Sequence, residues 1–301
     1  MEYVDKLYHG KLEIIRSEVN LGFAKGCNLA LKKVNSEYVV LLNDDTAPDS
    51  NWLRYLVGAS EKSPSIGACQ PKLKSLTTPN YFEYSGACGG MLDVYGTPFC
   101  RGRIFELVEE DKGQYDTIAE VFWSSGAAMF LRTKAIRETG LLDEMLYAHM
   151  EEIDLSWRMR LLGYNVVCVP QSVVYHVGGS TWASRPIEEQ LYLKHRNNLV
   201  VMLKNYATYN LMRFFIVRMF LDAGLLIYSL AKEDGKKAIC ALKSYLWILQ
   251  NLRPILTSRR RIQRSRRVPD SKIISVMVKK SVAIQYYLLQ RKFFSDVHGL
   301  P

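Results

Sequence analysis

Three groupings in this chain could do chemistry. The first is Asn43-Asp44-Asp45-Thr46, which follows the apolar run Tyr38-Val39-Val40-Leu41-Leu42. Such a run reads as a buried strand. In open α/β sheets, ligands sit outside the carboxyl ends of the strands. Adjacent carboxylates repel unless something positive joins them, and a hard divalent cation carrying a diphosphate would do so. The competing reading is a helix N-cap, in which Asp45 or Thr46, ahead of Pro48, opens a helix over 49–60. The second grouping is Glu151-Glu152-Ile153-Asp154, at the start of a segment with Ile153, Trp157 and Leu161 on one helical face. Acids in a first turn are favoured by the helix dipole, which helps keep them ionised and is reason enough for them to be there. In a cleft, an ionised carboxylate could also take a proton from an attacking hydroxyl. The third is His176, between the strand-like Val173-Val174-Tyr175 and Val177-Gly178-Gly179-Ser180. A neutral imidazole there could complete a cation's shell, or it could be an ordinary loop histidine.

These groups must be positioned by regular elements. The spacing predicts short strands at 11–16, 37–42 and 66–72, with helices at 22–33 and 49–60 between them. The first two strands and their connection read as a βαβ unit with a parallel pair. Residues 78–118, rich in Gly and Tyr, read as an irregular hairpin region. Residues 119–131 hold a strand, the turn Ser124-Ser125-Gly126-Ala127, and a second strand. Small residues in that turn let a ligand approach the backbone, and Trp123 beside it offers a face to a sugar ring; a buried turn is the equal alternative. Helices follow at 133–139 and 151–162, each closed by a glycine (Gly140, Gly163). Strands are expected at 165–169 and 172–176.

After Pro186 the character changes. A helix is expected over 187–206, then the apolar stretch 211–230, interrupted by Arg213, Arg218 and Asp222. Central charges cost a spanning helix roughly 2.5–3.5 kcal/mol each, so an in-plane or packed amphipathic helix is expected instead. A second apolar helix spans 238–252, and 275–294 reads as a third amphipathic stretch. Between them, residues 259–267 carry six arginines in nine positions.

The 301 residues carry a net charge of +10, and the excess belongs to the end of the chain. Residues 251–301 hold 12 Lys/Arg against Asp270 and Asp296, whereas the first 250 hold 28 of each sign. The main body is therefore neutral, which argues against a nucleic-acid-binding surface. The six cysteines form no CxxC pair and sit in apolar segments, a pattern of reduced thiols rather than disulfides or a zinc site. The polar start, Met-Glu-Tyr-Val-Asp-Lys, is not a signal peptide.

Taken together and in order, Asn20-Leu21-Gly22-Phe23-Ala24-Lys25-Gly26-Cys27-Asn28, Leu41-Leu42-Asn43-Asp44-Asp45-Thr46, Ser125-Gly126-Ala127, Glu151-Glu152-Ile153-Asp154-Leu155 with Arg158 and Gly163-Tyr164, and Pro170 with His176-Val177-Gly178-Gly179-Ser180 resemble the family 2 glycosyltransferases of GT-A type. The resemblance is to the branch containing bacterial rhamnosyl- and galactofuranosyltransferases, and Lys194-His195-Arg196-Asn197-Asn198 extends it. It covers about residues 10–206. It implies a GT-A fold: a Rossmann-like mixed α/β sheet flanked by helices. It further implies an inverting, metal-dependent transfer from a nucleotide-diphosphate sugar to a glycan or lipid-linked acceptor, in cell-surface polysaccharide assembly. By motif, Asn43 and Asp44 belong to the diphosphate site. Asp45 and His176 are the implied ligands of a divalent metal, Mg2+ or Mn2+. Asn20, Gly22 and Asn28 match the loop along the nucleotide, and Trp123, Ser125 and Gly126 are the acceptor-side candidates. Glu152 stands where the family has its catalytic base, with Glu151 and Asp154 as neighbours in the same turn, and the choice between Glu151 and Glu152 stays open.

Members of that family usually carry a strand, a helix and a further strand ahead of the Asn-Leu-Gly-Phe motif; here about 19 residues precede it, so a truncated fold is expected. The expected organisation is a truncated GT-A domain over 1–186 and a helical, basic, membrane-peripheral region over 187–301, at the cytoplasmic face of an anionic membrane. Two other readings compete. A nucleotidyltransferase would want a Gly-rich, Lys/Arg-bearing phosphate loop near the start, which the sequence lacks. An inactive fragment serving as a membrane-associated scaffold would show no donor hydrolysis.

Overall fold

The computed structural model describes residues 12–178, 185–231 and 235–301. In chain order, α1 (Gly22–Leu31) leads to β1 (Tyr38–Leu42), β2 (Thr46–Pro48), α2 (Trp52–Glu61) and β3 (Ile66–Ser75). Four short strands follow: β4 (Gly90–Leu92), β5 (Pro98–Cys100), β6 (Arg103–Ile104) and β7 (Leu107–Val108). Then come β8 (Ala119–Glu120), β9 (Ala128–Arg132), α3 (Thr133–Thr139), α4 (Glu151–Leu161) and β10 (Asn165–His176). The remainder is helical: α5 (Ile187–Asn205), α6 (Thr208–Ala231), α7 (Gly235–Gln250), α8 (Leu252–Ser265), α9 (Asp270–Ile274) and α10 (Val282–Tyr287).

The main sheet is mixed, in the order β1-β9-β3-β10-β2, with β8 also on β10. Only β3 and β10 run parallel to each other; β1–β9, β3–β9 and β2–β10 are antiparallel. The expected parallel βαβ pair at the start is therefore corrected. Residues 12–16 form no strand, and β1 takes β9 as its neighbour. The alternation of apolar residues could not reveal this, because strand direction is set by long-range pairing. The two strands expected at 165–169 and 172–176 are one strand, with an irregularity in its register between Val169 and Val173. Pro170, which has no N–H to give the ladder, lies in that interruption.

The region read as an irregular hairpin is a small antiparallel sheet, β4-β5-β6-β7. Gly90 anchors it to the core. Its N–H and C=O both bond to the Trp123–Phe122 backbone, and a Cβ there would lie 2.1 Å from the Trp123 ring. The stretch 275–294 contains only the short α10, because its apolar residues cover this sheet instead. Val278 pairs with Asp93 and its neighbours, Tyr286 and Tyr287 pack on Phe105, and Phe294 packs on Phe99 and Tyr115. The expected boundary after residue 186 marks a change from sheet to helices. Across it, one hydrophobic core runs from Ala24 through Trp157 to Leu199, Ile255 and Val297.

Candidate active site

The acidic loop lies where the sheet presents its strand ends. β2 pairs with β10 so that Thr46 faces His176, and this brings Asp45 alongside the imidazole. His176 Nε2 is 2.9 Å from Asp45 Oδ1 and 3.3 Å from Asn43 Nδ2, and its Nδ1 is 3.4 Å from Glu83 Oε2. His176 and Glu83 are 2% and 3% exposed, and Asp44 faces solvent. Burial alone would lower the His176 pKa, but the Glu83 and Asp45 carboxylates outweigh it and the value is raised. The loop is braced by Asn43 N–H donating to Ala127 O and by the Thr46 hydroxyl donating to Asn43 O. The helix-cap alternative fails: β2 intervenes, and α2 begins at Trp52 with Asn51 at its cap.

Glu83 carried no sequence signal, since it sits in the loop-rich region with no motif around it. It lies 3.4 Å from the far nitrogen of the ring, where a carboxylate can orient an imidazole. Asp45 Oδ1 and His176 Nε2 would then offer one oxygen and one nitrogen side by side. Among the described residues no group of three or more His, Cys, Asp or Glu side chains forms a metal cage. A small divalent cation commonly takes one or two protein groups and completes its shell with substrate phosphates and water, so this pair fits such an ion.

The second acidic cluster sits at the start of α4. Tyr147, His149 and Met150, just before it, hold φ of +62°, +67° and +74°. Left-handed backbone at such residues costs on the order of 1 kcal/mol each. The segment is held by Asn197 of α5, whose amide donates to the carbonyls of Leu146, Ala148 and His149 at 2.7–2.8 Å. The Lys194–Asn198 motif therefore acts as a clamp on the loop that aims Glu151 and Glu152.

Glu151 is buried and Glu152 half-buried, and one carboxylate oxygen of each is enclosed without a hydrogen bond to any described residue. Burial pushes Glu152 up to about 7. Glu151 is raised as well, by burial and then by the charge of Glu152. The expectation that the helix dipole keeps both ionised is corrected: desolvation outweighs it.

Other expected site residues turn out to be framework. Asp154 is fully buried in α4, bonded to Arg158 at 2.7 Å and to Lys204 and Asn205 at 2.9 Å, and its pKa is driven well below the usual range because these cations outweigh burial. The Trp123 ring is buried and donates to Met91 O, so it has no face left for a sugar. Asn28 is buried with its amide spent on Leu142 and Glu144. Gly22, at φ +74°, lets α1 start against Tyr147, which a Cβ would meet at 2.5 Å, and Asn20 accepts from its N–H. Ser125 is buried and receives Gln70 Oε1 on its N–H, while Gly126 is half-buried against Phe23. Gly179 and Ser180 lie outside the described residues.

A mixed sheet flanked by helices, with acids and a histidine at its strand ends, matches the GT-A glycosyltransferase fold. The chain superposes on the crystal structure of GalNAc-T7 with UDP, GalNAc and Mn2+ at a TM-score of 0.54 and 17% identity, over 85% of this chain and 48% of that one. Residues 2–133 match the profile Glycosyl transferase family 2. Over that stretch the chain is similar to the family 2 glycosyltransferases. It is 22% identical over 215 residues to the N-acetylglucosaminyl-diphospho-decaprenol L-rhamnosyltransferase of Mycobacterium tuberculosis, covering 65% of this chain and 68% of the relative. It is 25% identical over 178 residues to the poly-beta-1,6-N-acetyl-D-glucosamine synthase of Staphylococcus epidermidis, covering 56% of this chain and 38% of that protein. The chain thus spans about half of GalNAc-T7 and under half of the synthase.

Proposed function

We propose that this glycosyltransferase moves a sugar from a nucleotide-diphosphate donor to a hydroxyl of a glycan or lipid-linked acceptor, with inversion, in building a cell-surface polysaccharide. The observation that carries the reading is the pair of enclosed carboxylates, Glu151 and Glu152, which follow a strained loop and each keep an oxygen without a hydrogen bond to any described residue. Glu152, with a pKa of about 7, is matched to accept a proton from the acceptor hydroxyl as it attacks the anomeric carbon. Attack from the face opposite the leaving group inverts that carbon. Asp45 and His176 would hold a divalent cation, Mg2+ or Mn2+, with Glu83 orienting the imidazole; such an ion supplies charge neutralisation for a departing diphosphate. The relatives' names support a polyprenyl-linked or polysaccharide acceptor, and the arginine-rich α8 supports work beside an anionic membrane.

The test is sugar transfer from a panel of nucleotide sugars, in the presence and absence of Mg2+ or Mn2+. Asp45→Ala and His176→Ala are each expected to abolish metal-dependent turnover. Turnover at the unmodified rate in either variant overturns the metal assignment, and no transfer from any donor overturns the function.

A further inference from the structure

Helices α6 and α7 pack against each other and, through α7, against α5. Each leaves a stripe of apolar side chains in solvent. On α6 the stripe is Met212, Ile216, Met219, Phe220, Ala223 and Ile227, recurring at three- and four-residue steps. On α7 it is Ile239, Leu242, Leu246 and Leu249. Phe220 is 75% exposed, Ile227 67% and Leu249 70%. A monomeric soluble protein rarely leaves so many large apolar groups together in water. Polar residues of the same helices lie on their inner sides: Asp222, Ser229 and Ser244 are buried. Apolar side chains therefore line the outer sides of this pair as well as the inner ones, where Phe214, Ala238, Cys240, Ala241 and Ile248 are buried.

The exposed charged residues on α6, α7 and α8 themselves are all cations. Arg213, Lys243, Arg253 and Arg260 are exposed. Asp222 is the single acid in α6, and α7 and α8 contain none. No helix among the described residues is long and apolar enough to cross a membrane.

We infer that the outer face of α6 and α7 is a bilayer-inserting surface, lying in the plane of an anionic membrane with its apolar stripes among the acyl chains and its cations at the headgroups. Apolar side chains flanked by cations are complementary to an anionic lipid surface. They are poorly complementary to a second copy of the chain, since a two-fold pairing of this face would set the cations of one copy beside those of the other with no acid on these helices' outer face to offset them. The inference deepens the proposed function and rests on its reading that the acceptor is presented at a membrane.

The face is also keyed to the catalytic loop. Asp222 of α6 takes His195 of α5 at 3.1 Å, Arg218 at 2.9 Å and the Tyr245 hydroxyl of α7 at 2.7 Å. Arg218 in turn reaches Tyr95 O at 3.0 Å and Asn198 of α5. Two residues from His195, Asn197 holds the segment ahead of Glu151. The depth at which the face sits in a bilayer therefore sets the height of the glutamates above it.

The experiment is flotation of the full chain with vesicles of phosphatidylglycerol and phosphatidylcholine, at low and high salt, alongside its mass in solution by light scattering. The variants are Ile216→Glu/Phe220→Glu, Leu246→Glu/Leu249→Glu and Arg253→Glu/Arg260→Glu. All six positions are exposed, and a thermal melt checks that folding is retained. The unmodified chain is expected to float at low salt and to retain a bound fraction at high salt. Each apolar pair variant should bind about tenfold less at both salts, and the arginine variant should lose binding mainly at low salt. Transfer to a soluble acceptor should be unchanged in all three. Flotation of the apolar variants equal to that of the parent overturns the inference. So does a parent that stays unbound at low salt, or one that is a dimer dispersed by the same variants. A chain that floats as expected but transfers no sugar defeats the proposed function and leaves this surface standing.

Discussion

Glu152 carries the sharpest consequences among single side chains. Its carboxyl moves from the ordinary 4.5 to about 7 on folding, mainly through burial. The folded chain thus keeps a proton that the unfolded chain releases. Its contribution to stability falls as pH rises from about 4.5 through 7, and is level above that. Glu152→Gln should remove that slope and melt higher than the parent above pH 7, read by thermal unfolding across a pH series. In catalysis the sign is reversed, because the base must be ionised. Turnover should rise with pH through about 7. Glu152→Gln should lower it by about 10²–10⁴-fold while donor binding, measured by calorimetry, persists. If Glu151→Gln is the severe variant instead, the base is Glu151. Both glutamates stood out in the sequence because they open a helical pattern. Their raised pKa values did not, because the burial that raises them is a property of folding.

Helix α4 has two chemically different ends of one acidic cluster, and only packing separates them. Asp154, two residues beyond Glu152, turns to Lys204, Asn205 and Arg158. Asp154→Asn should leave the wholly buried Lys204 with Asp143 as its remaining carboxylate and Arg158 without its ion pair, and cost about 3 kcal/mol in denaturant unfolding. The clamp from α5 makes a separate prediction. Asn197→Ala removes three hydrogen bonds to carbonyls of the left-handed segment. Leu146 O keeps the Ala148 N–H and Arg196, while a buried carbonyl left unpaired costs about 1–3 kcal/mol. Turnover should fall more than donor affinity does, since the loop that aims the glutamates is released while the Asp45–His176 loop is untouched. A kcat loss with donor Kd preserved would bear this out, and equal losses in both would not.

The main hydrophobic core spans the described residues on both sides of the change of character after residue 186. The final segment returns to cover the small sheet: Val278 pairs with Leu92 and Val94, and Val282 N–H donates to the buried Asp93. Removing residues 270–301 would bare Phe99, Ile104 and Tyr115 on one side. The full chain should therefore melt in one cooperative transition by calorimetry, and truncation after Pro269 should abolish it rather than free an intact catalytic domain. Two well-separated transitions would show instead that the halves fold alone.

Elements with strong local patterning were legible in the residues. The spans of α1, β1, α3, α4 and α5 fall within one to three residues of those expected, because apolar periodicity, glycine stops and turn residues act over short distances. Asp45 and His176 were also legible, since each ends an apolar strand and strand ends are where open sheets bind ligands. Strand partners were not. The antiparallel pairing of β1 with β9, the union of two expected strands into β10 and the wrap of 275–294 over the small sheet all depend on contacts between distant segments. Glu83 and Asn197 belong to the same class, as do the burials of Trp123, Asn28 and Asp154. A side chain's type says what it can bond to, whereas its burial and partners follow from which surfaces the fold closes. For that reason the residues could nominate the acids of this site, and only the packed chain separates those enclosed and unpaired from those tied into the frame.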